Sequence, residues 1–368
     1  MTVTFEQIVA LPKVLLHDHL DGGLRPRTVV ELAVRAGHEL PTTDPEALGS
    51  WFRERAAAGS LEAYLDTFAH TLAVMQRPKA LRRVAREAVE DLAADGVVHA
   101  ELRFAPELHQ QRDLTLQQAV DAVLEGLAEG TALAAERGRD IRAGLLLCAM
   151  RQSDRADEVA DLALANRDRG VVGFDVAGPE AGYPASAMSA AFARLRAARL
   201  PVTVHAGEAA GTDSLDDAVD VGALRIGHGI RLLDDLTPQH DPAGDSTHRL
   251  GRLAHWVRDR RIALEVCPTS NVQTGGAGSV AEHPVTTLLR LGFAVTVNTD
   301  NRLQSGTSLS RELHLLVTEA GWTLDDVRTV TVTAARHAFC HEDERQDLID
   351  RVILPGHAPH GTGRHRAS

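Results

Sequence analysis

Eight short apolar, β-prone runs recur along the 368-residue chain, at 14–20, 97–104, 141–150, 171–177, 201–205, 224–227, 262–266 and 293–298. Most are near-continuous in Val, Ile, Leu and Ala rather than alternating, as parallel strands covered on both faces must be. Between them lie Ala-, Leu-, Arg- and Glu-rich stretches with helical spacing, as at 79–94, 116–137, 155–169 and 187–198. Strand followed by helix, eight times, predicts an α/β protein of the (β/α)8 TIM-barrel type. An open doubly wound sheet shares this alternation. However, no G-x-G-x-x-G follows the first run, where that fold often carries its phosphate loop.

The length suits one such barrel with an insertion. A single catalytic domain is expected over 1–354, with a helical insertion at about 45–78, after the first strand. Within it, Leu61, Tyr64, Leu65 and Phe68 fall on one helical face. Taken alone, that stripe is core packing. In a barrel, an insertion after strand 1 sits over the active-site mouth and could wall the pocket. The end of the chain, 355–368 (PGHAPHGTGRHRAS), reads as a loose, flexible tail.

Thirty-nine basic residues against 51 acidic ones leave a formal charge of -12, the wrong sign for a nucleic-acid binder. The N-terminus lacks the basic start and apolar run of a secretory signal, and no stretch nears the roughly 18 apolar residues of a membrane span. Cys148, Cys267 and Cys340 are odd in number and far apart, so a reduced, cytoplasmic setting is expected. Nothing points to an obligate protein partner.

In parallel barrels, chemistry sits at the C-terminal ends of the strands. The runs here end in His17-Asp18-His19-Leu20-Asp21, Asp175-Val176-Ala177-Gly178, His205-Ala206-Gly207-Glu208, Gly227-His228-Gly229, Cys267-Pro268-Thr269-Ser270-Asn271 and Asn298-Thr299-Asp300-Asn301. His17 and His19, two apart on a strand, point to one face. With 18 histidines in the chain, about one H-x-H is expected by chance, so the pair alone says little. It gains weight because His205 and Asp300 close two other strands. Three imidazoles and a carboxylate make a zinc set that leaves a position for water. His337 and His341 could share a helix face, but they lie beyond the last strand and are not counted as ligands.

The motifs LPKVLLHDHLDGGLRP, VVGFDVAGPE, VTVHAGE, RIGHGIR, LEVCPTSNVQTG and VNTDNRLQSGTSL occur in this order. Together they resemble the adenosine deaminases of the amidohydrolase superfamily, from about Pro12 to at least Phe339. The resemblance implies a (β/α)8 barrel, one catalytic zinc ion per chain, and conversion of adenosine or 2′-deoxyadenosine to the inosine form plus ammonia. It implies His17, His19, His205 and Asp300 as zinc ligands, Glu208 as proton donor and His228 as the catalytic histidine. His228 and Asp300 would orient the attacking water and take up its proton, and Glu208 would protonate purine N1. Asp21 would contact the ribose 5′-hydroxyl, the Gly178 N–H purine N3, and Leu61 and Phe68 the ribose side of the pocket. His19 would border the substrate as well as the metal. Animal enzymes have a second aspartate where this chain has Asn301; a carboxamide can donate to purine N7 at any pH.

Other readings remain. The substrate could be adenine or a 5′-modified adenosine. A different mononuclear amidohydrolase, or a barrel that has lost its chemistry, is the more distant alternative. A binuclear site bridged by a carboxylated lysine after strand 4 is disfavoured, because the only lysines are Lys13 and Lys79. The cytidine-type zinc deaminases are excluded by the lack of any P-C-x-x-C.

Overall fold

The computed structural model describes residues 3–240 and 246–358. Ten strands are present among them: β1 Lys13–His19, β2 Val97–Phe104, β3 Arg142–Met150, β4 Val171–Ala177, β5 Thr203–Ala206, β6 Arg225–His228, β7 Leu236–His240, β8 Ser246–Leu250, β9 Ala263–Val266 and β10 Val295–Val297. Eight of them form two parallel sheets, ordered β1-β2-β3-β4 and β10-β9-β6-β5. Isolated parallel bridges join the sheet edges at both ends, Phe174 with Val202 and Asp18 with Asp300. The remaining pair, β7 and β8, is a separate antiparallel ribbon.

The apolar runs become strands because both faces are covered. Leu145 through Ala149 on β3 are fully buried. On the outside, helix Pro78–Ala94 buries Leu81, Val84, Ala85, Ala88, Val89 and Leu92, the 3–4 spacing of a single face. Its neighbour, helix Leu116–Glu136, starts at a Thr115–Gln118 capping box. Gly126 and Gly130 let the two helices approach closely. A Cβ at Gly126 would lie 2.3 Å from the Arg82 carbonyl oxygen, and one at Gly130 2.7 Å from that of Arg86.

Three features depart from the sequence expectations. The helix expected across 60–75 is broken into Leu61–Asp66 and Phe68–Val74. Thr67 sits between them, and its hydroxyl donates to the Tyr64 carbonyl at 2.7 Å, a local bond that competes with the helical ladder. The β7–β8 ribbon interrupts the strand–helix rhythm after β6. Its first strand contains Pro238, which reads against a strand except at an edge, and a two-stranded ribbon is all edge. Finally, the C-terminal helical segment runs through Leu354–Gly356, past the expected start of the tail, with Gly356 packed on Pro12. The rest of that tail, 359–368, lies outside the described residues.

The space between the sheets is not purely apolar. Glu101, Arg103, Asp175, Arg225 and Glu265 point inward from four different strands and are at most 1% exposed. Arg103 bonds Asp175 at 2.7 Å and Glu265 at 2.9 Å, while Arg225 bonds Glu101 at 2.6 Å and Glu265 at 2.5 Å. Two guanidinium groups against three carboxylates leave this layer one negative charge in excess.

Candidate active site

The charged layer is the platform for the strand-end histidines. His17, from β1, bonds Glu265 through Nδ1 at 3.0 Å. His205, from β5, bonds Asp175 through Nδ1 at 3.1 Å. In each case a carboxylate anchored by Arg103 holds the outer ring nitrogen and turns the other one inward, the usual outer support of a metal-binding histidine. His17 Nε2 is buried and has no hydrogen-bond partner among the described residues, and it lies 3.3 Å from Asp300 Oδ1. Asp300 follows β10 at φ +56°, a left-handed conformation rare outside glycine, and its Oδ2 accepts from Ser270 at 2.7 Å. The other oxygen is thereby left facing the histidines.

His17, His205, His228 and Asp300 each bring one donor atom within 4.8 Å of the others, a cluster able to hold a metal ion. His19 stands at its edge, with Nε2 3.1 Å from His205 Nε2 and 3.4 Å from Asp300 Oδ1. Burial holds the His19, His205 and His228 imidazoles below their ordinary pKa, so they are neutral and able to coordinate. Burial pushes against ionisation of Asp300 too, but the close approach of His17 Nε2, with the other imidazoles around it, carries its carboxyl well below the usual range. The donor set is thus the His17, His19, His205 and His228 rings and the Asp300 carboxylate, gathered around a buried nitrogen with no hydrogen-bond partner, which fits a metal such as zinc.

Above the cluster lies a cavity of about 200 Å³. All of the sequence-predicted site residues line it except His17, which lies fully buried beneath. The insertion supplies one wall, with Leu61, Tyr64, Leu65, Phe68 and Leu72. Tyr64 pins that wall to the segment after β10 through a 2.9 Å bond to Ser305. The opposite rim is Gly178 at φ +102°, where a Cβ would come within 2.5 Å of Gln152 Oε1. Asp21 Oδ1 and Asn301 Oδ1 are buried polar atoms without a partner among the described residues. Burial raises the Asp21 carboxyl to about 7.

Glu208 is buried at the cavity wall with Oε2 3.5 Å from His228 Nε2. Burial, reinforced by the negative charges of Asp300 and Glu180, raises its pKa well above the ordinary carboxyl range. Both influences favour the protonated form of Glu208. The His228 ring is fixed by Asn271, whose Oδ1 takes the Cys267 N–H and His283 Nε2, both at 3.3 Å. Asn271 Nδ2 therefore donates to His228 Nδ1 at 3.0 Å, and the ring proton sits on Nε2, toward Glu208.

Sequence reasoning found the residues that face the cavity and missed their supports. Glu265, Arg103 and Glu180 received no role, and Asp175, Ser270 and Asn271 only a position at the end of a run. A signal existed: Glu101 and Arg103 stand two apart inside an apolar strand, and Glu265 interrupts another. Charges at inward positions of buried strands require partners. His337, one of the two set-aside histidines, bonds the carbonyls of Thr333 and Arg261 and lies far from the cluster in a helix packed outside.

Residues 12–355 match the family model for adenosine deaminase. Adenosine deaminase 1 of Streptomyces coelicolor is 54% identical over 355 residues, spanning 96% of this chain and 89% of that protein. An amidohydrolase from Burkholderia ambifaria, with bound Zn, has a similar structure with a TM-score of 0.82 at 26% identity, covering 97% of this chain and 94% of its own. The adenine deaminase from Arthrobacter aurescens gives a TM-score of 0.80 at 28% identity, with 94% and 98% covered. Matched by a family model over nearly its whole length, and sharing more than half its residues with a curated relative, the chain belongs to the adenosine deaminase family of hydrolases.

Proposed function

We propose that the chain catalyses the zinc-dependent hydrolytic deamination of adenosine and 2′-deoxyadenosine to inosine and 2′-deoxyinosine with release of ammonia, as part of purine salvage. The observation that carries this reading is the cavity floor, where the donor cluster and the protonated Glu208 face the same small space. The two sheets are read as one closed (β/α)8 barrel in a single domain over 1–354, with the 45–78 insertion roofing its mouth.

His17, His19, His205 and Asp300 would hold one zinc ion. His19 is chosen over His228 because the Asn271 bond leaves a proton on His228 Nε2, and a protonated nitrogen does not coordinate. A bound zinc ion supplies the Lewis acidity that makes water nucleophilic near neutral pH. His228 Nε2–H donates to the attacking water and orients it, so His228 acts as a donor. The Asp300 carboxylate, ionised at neutral pH, accepts the water's proton. Glu208 passes its own proton to purine N1, so that C6 can take the water oxygen as the N1–C6 double bond is lost. The proton held by Asp300 then passes to the amino group, the C6–N bond breaks to release ammonia, and the C6 hydroxyl proton returns to Glu208, so both carboxyls are reset. The apolar wall of Leu61 and Phe68 excludes bulk water. The unpaired oxygen of Asp21 accepts from a ribose hydroxyl, the Gly178 N–H meets N3, and the Asn301 carboxamide, with its NH2 turned inward, meets N7.

The adenine deaminase likeness raises a second reading, free adenine as substrate. The unpaired Asp21 favours a nucleoside, since adenine would leave that buried oxygen without a donor. A nucleotide is disfavoured by the cations near β1. Arg25 is paired with Asp91 at 2.6 Å, Arg27 is an exposed surface group, and neither lines the cavity. No helix among the described residues is long and apolar enough to cross a membrane, and three unpaired cysteines suit a reducing cytoplasm. A kcat/KM panel of adenosine, 2′-deoxyadenosine, adenine and AMP, followed by the loss of adenine absorbance, tests the reading. Adenosine and its 2′-deoxy form should lead by at least tenfold, and a preference for adenine would replace the reading with its rival.

A further inference from the structure

Glu180 follows β4 in the stretch Gly178-Pro179-Glu180 and is only 6% exposed. Its carboxylate takes four consecutive backbone N–H groups from the loop after β5. Gly207 donates to one oxygen at 2.5 Å, while Glu208, Ala209 and Ala210 donate to the other at 3.2, 2.7 and 2.9 Å. Successive N–H groups converging in this way form a nest, a concavity suited to an anion. Gly207 begins the turn at φ +67°, and a Cβ there would lie 2.6 Å from Leu215 Cδ2, so the turn has room for no larger residue. Arg151 braces the same junction by donating to the carbonyls of His205 and Tyr183.

The ends of β4 and β5 are thus fastened together by one side chain. On the reading above, these two ends make the two contacts to the six-membered ring: the Gly178 N–H at N3 and the Glu208 carboxyl at N1. N1 and N3 flank a single ring carbon in a rigid heterocycle, so the two donors must keep a fixed separation. Glu180 sits two residues from Gly178 and bonds the backbone of Glu208 itself. We infer that Glu180 is a positioning residue: its carboxylate sets the spacing between the Gly178 N–H and the Glu208 carboxyl, and with it the register of the purine over the donor cluster. This rests on the assignment of those two contacts. A loop anchor with no such role would lower the rate on every substrate by the same factor.

The experiment compares adenosine with 3-deazaadenosine, whose C–H at position 3 cannot accept from Gly178, in the wild type and in Glu180→Gln. The carboxamide keeps the shape but turns an NH2 toward N–H donors, so the nest opens. In the wild type, kcat/KM should favour adenosine by about fivefold or more. In Glu180→Gln, kcat on adenosine should fall on the order of 100-fold, the cost of a misplaced acid. The 3-deaza substrate should lose much less, so the ratio shrinks toward one. Zinc content by atomic absorption should equal that of the wild type. Equal losses on both substrates, or an unchanged kcat on adenosine, would overturn the inference. Should Glu180→Gln prove insoluble, Glu180→Asp keeps the charge one methylene short and should give an intermediate ratio; an unchanged ratio at a lower rate counts against the inference. A wild type that does not distinguish the two substrates removes the N1 and N3 assignment itself, and the role of Glu180 with it.

Discussion

Three histidines of this site, His17, His205 and His228, are each held at Nδ1 by a second side chain that orients the ring. Glu208 depends on burial and on neighbouring negative charge for its proton. Replacing it with Gln should leave zinc content intact and lower kcat by roughly 10²–10⁴-fold, the range for losing a general acid. Wild-type turnover in Glu208→Gln would remove it from its role. Because the acid form is the active one, kcat/KM should be level below the raised Glu208 pKa and decline about tenfold per pH unit above it. The same decline in Glu208→Gln would show that the fall belongs to another group. Gly22 is a subtler case. A Cβ there would lie 2.0 Å from Asn301 Oδ1 and 2.7 Å from its Cβ, so Gly22→Ala should turn Asn301 away from the base. The expected result is a KM for adenosine raised about tenfold, equivalent to one lost hydrogen bond, with the metal content unaltered. The candidate site was legible at this scale because His, Asp and Glu are out of place at the ends of apolar strands. Their supports were not, because Glu265 reaches His17 from a strand distant in sequence, and no local pattern records that pairing.

Among the elements, strands and long helices could be read from the chain with only small shifts at their ends. The regular runs of β2, β3 and helix Pro78–Ala94 carry their burial pattern in the spacing of apolar residues. The break at Thr67 and the β7–β8 ribbon could not be read, since one depends on a single hydroxyl bond and the other on pairing between polar segments. Helix ends are also where electrostatics acts locally. Asp326 closes the Thr323 capping box of helix Leu324–His337 and also pairs with Arg290, at the end of helix Pro284–Arg290. The Arg290 bond, aided by the Thr323 contacts against partial burial, lowers the Asp326 pKa to about 2. A carboxyl depressed in the folded state contributes stability above its unfolded pKa and loses it as pH falls through the folded one. Asp326→Asn should therefore lower stability by about 0.5–1 kcal/mol near pH 7, a modest figure because Arg290 is half exposed. The difference in Tm between the two proteins should close as the pH falls from about 4 to about 2. A difference that persists unchanged across that interval would assign the effect to the cap alone.

For the whole molecule, the Asp300 carboxylate and the imidazole nitrogens gathered around it make the folded chain a better host with a cation than without one. Chelation should abolish turnover and lower Tm by several degrees, and added Zn²⁺ should restore both, since an ion that binds only the folded chain stabilises it. Full activity in metal-free protein would end the zinc assignment. The cluster lies where the first and last strands of the ring meet: Asn298 takes the N–H groups of Leu16 and His17, the latter 281 residues away, and Asp300 bridges Asp18. That seam has a consequence for biosynthesis. A growing polypeptide carries its H-x-H pair through most of translation before Asp300 has been made, and closing so long a loop comes late in folding. On the proposed ligand set, the complete site would form only on a nearly finished chain, so full metal loading would follow synthesis rather than accompany it.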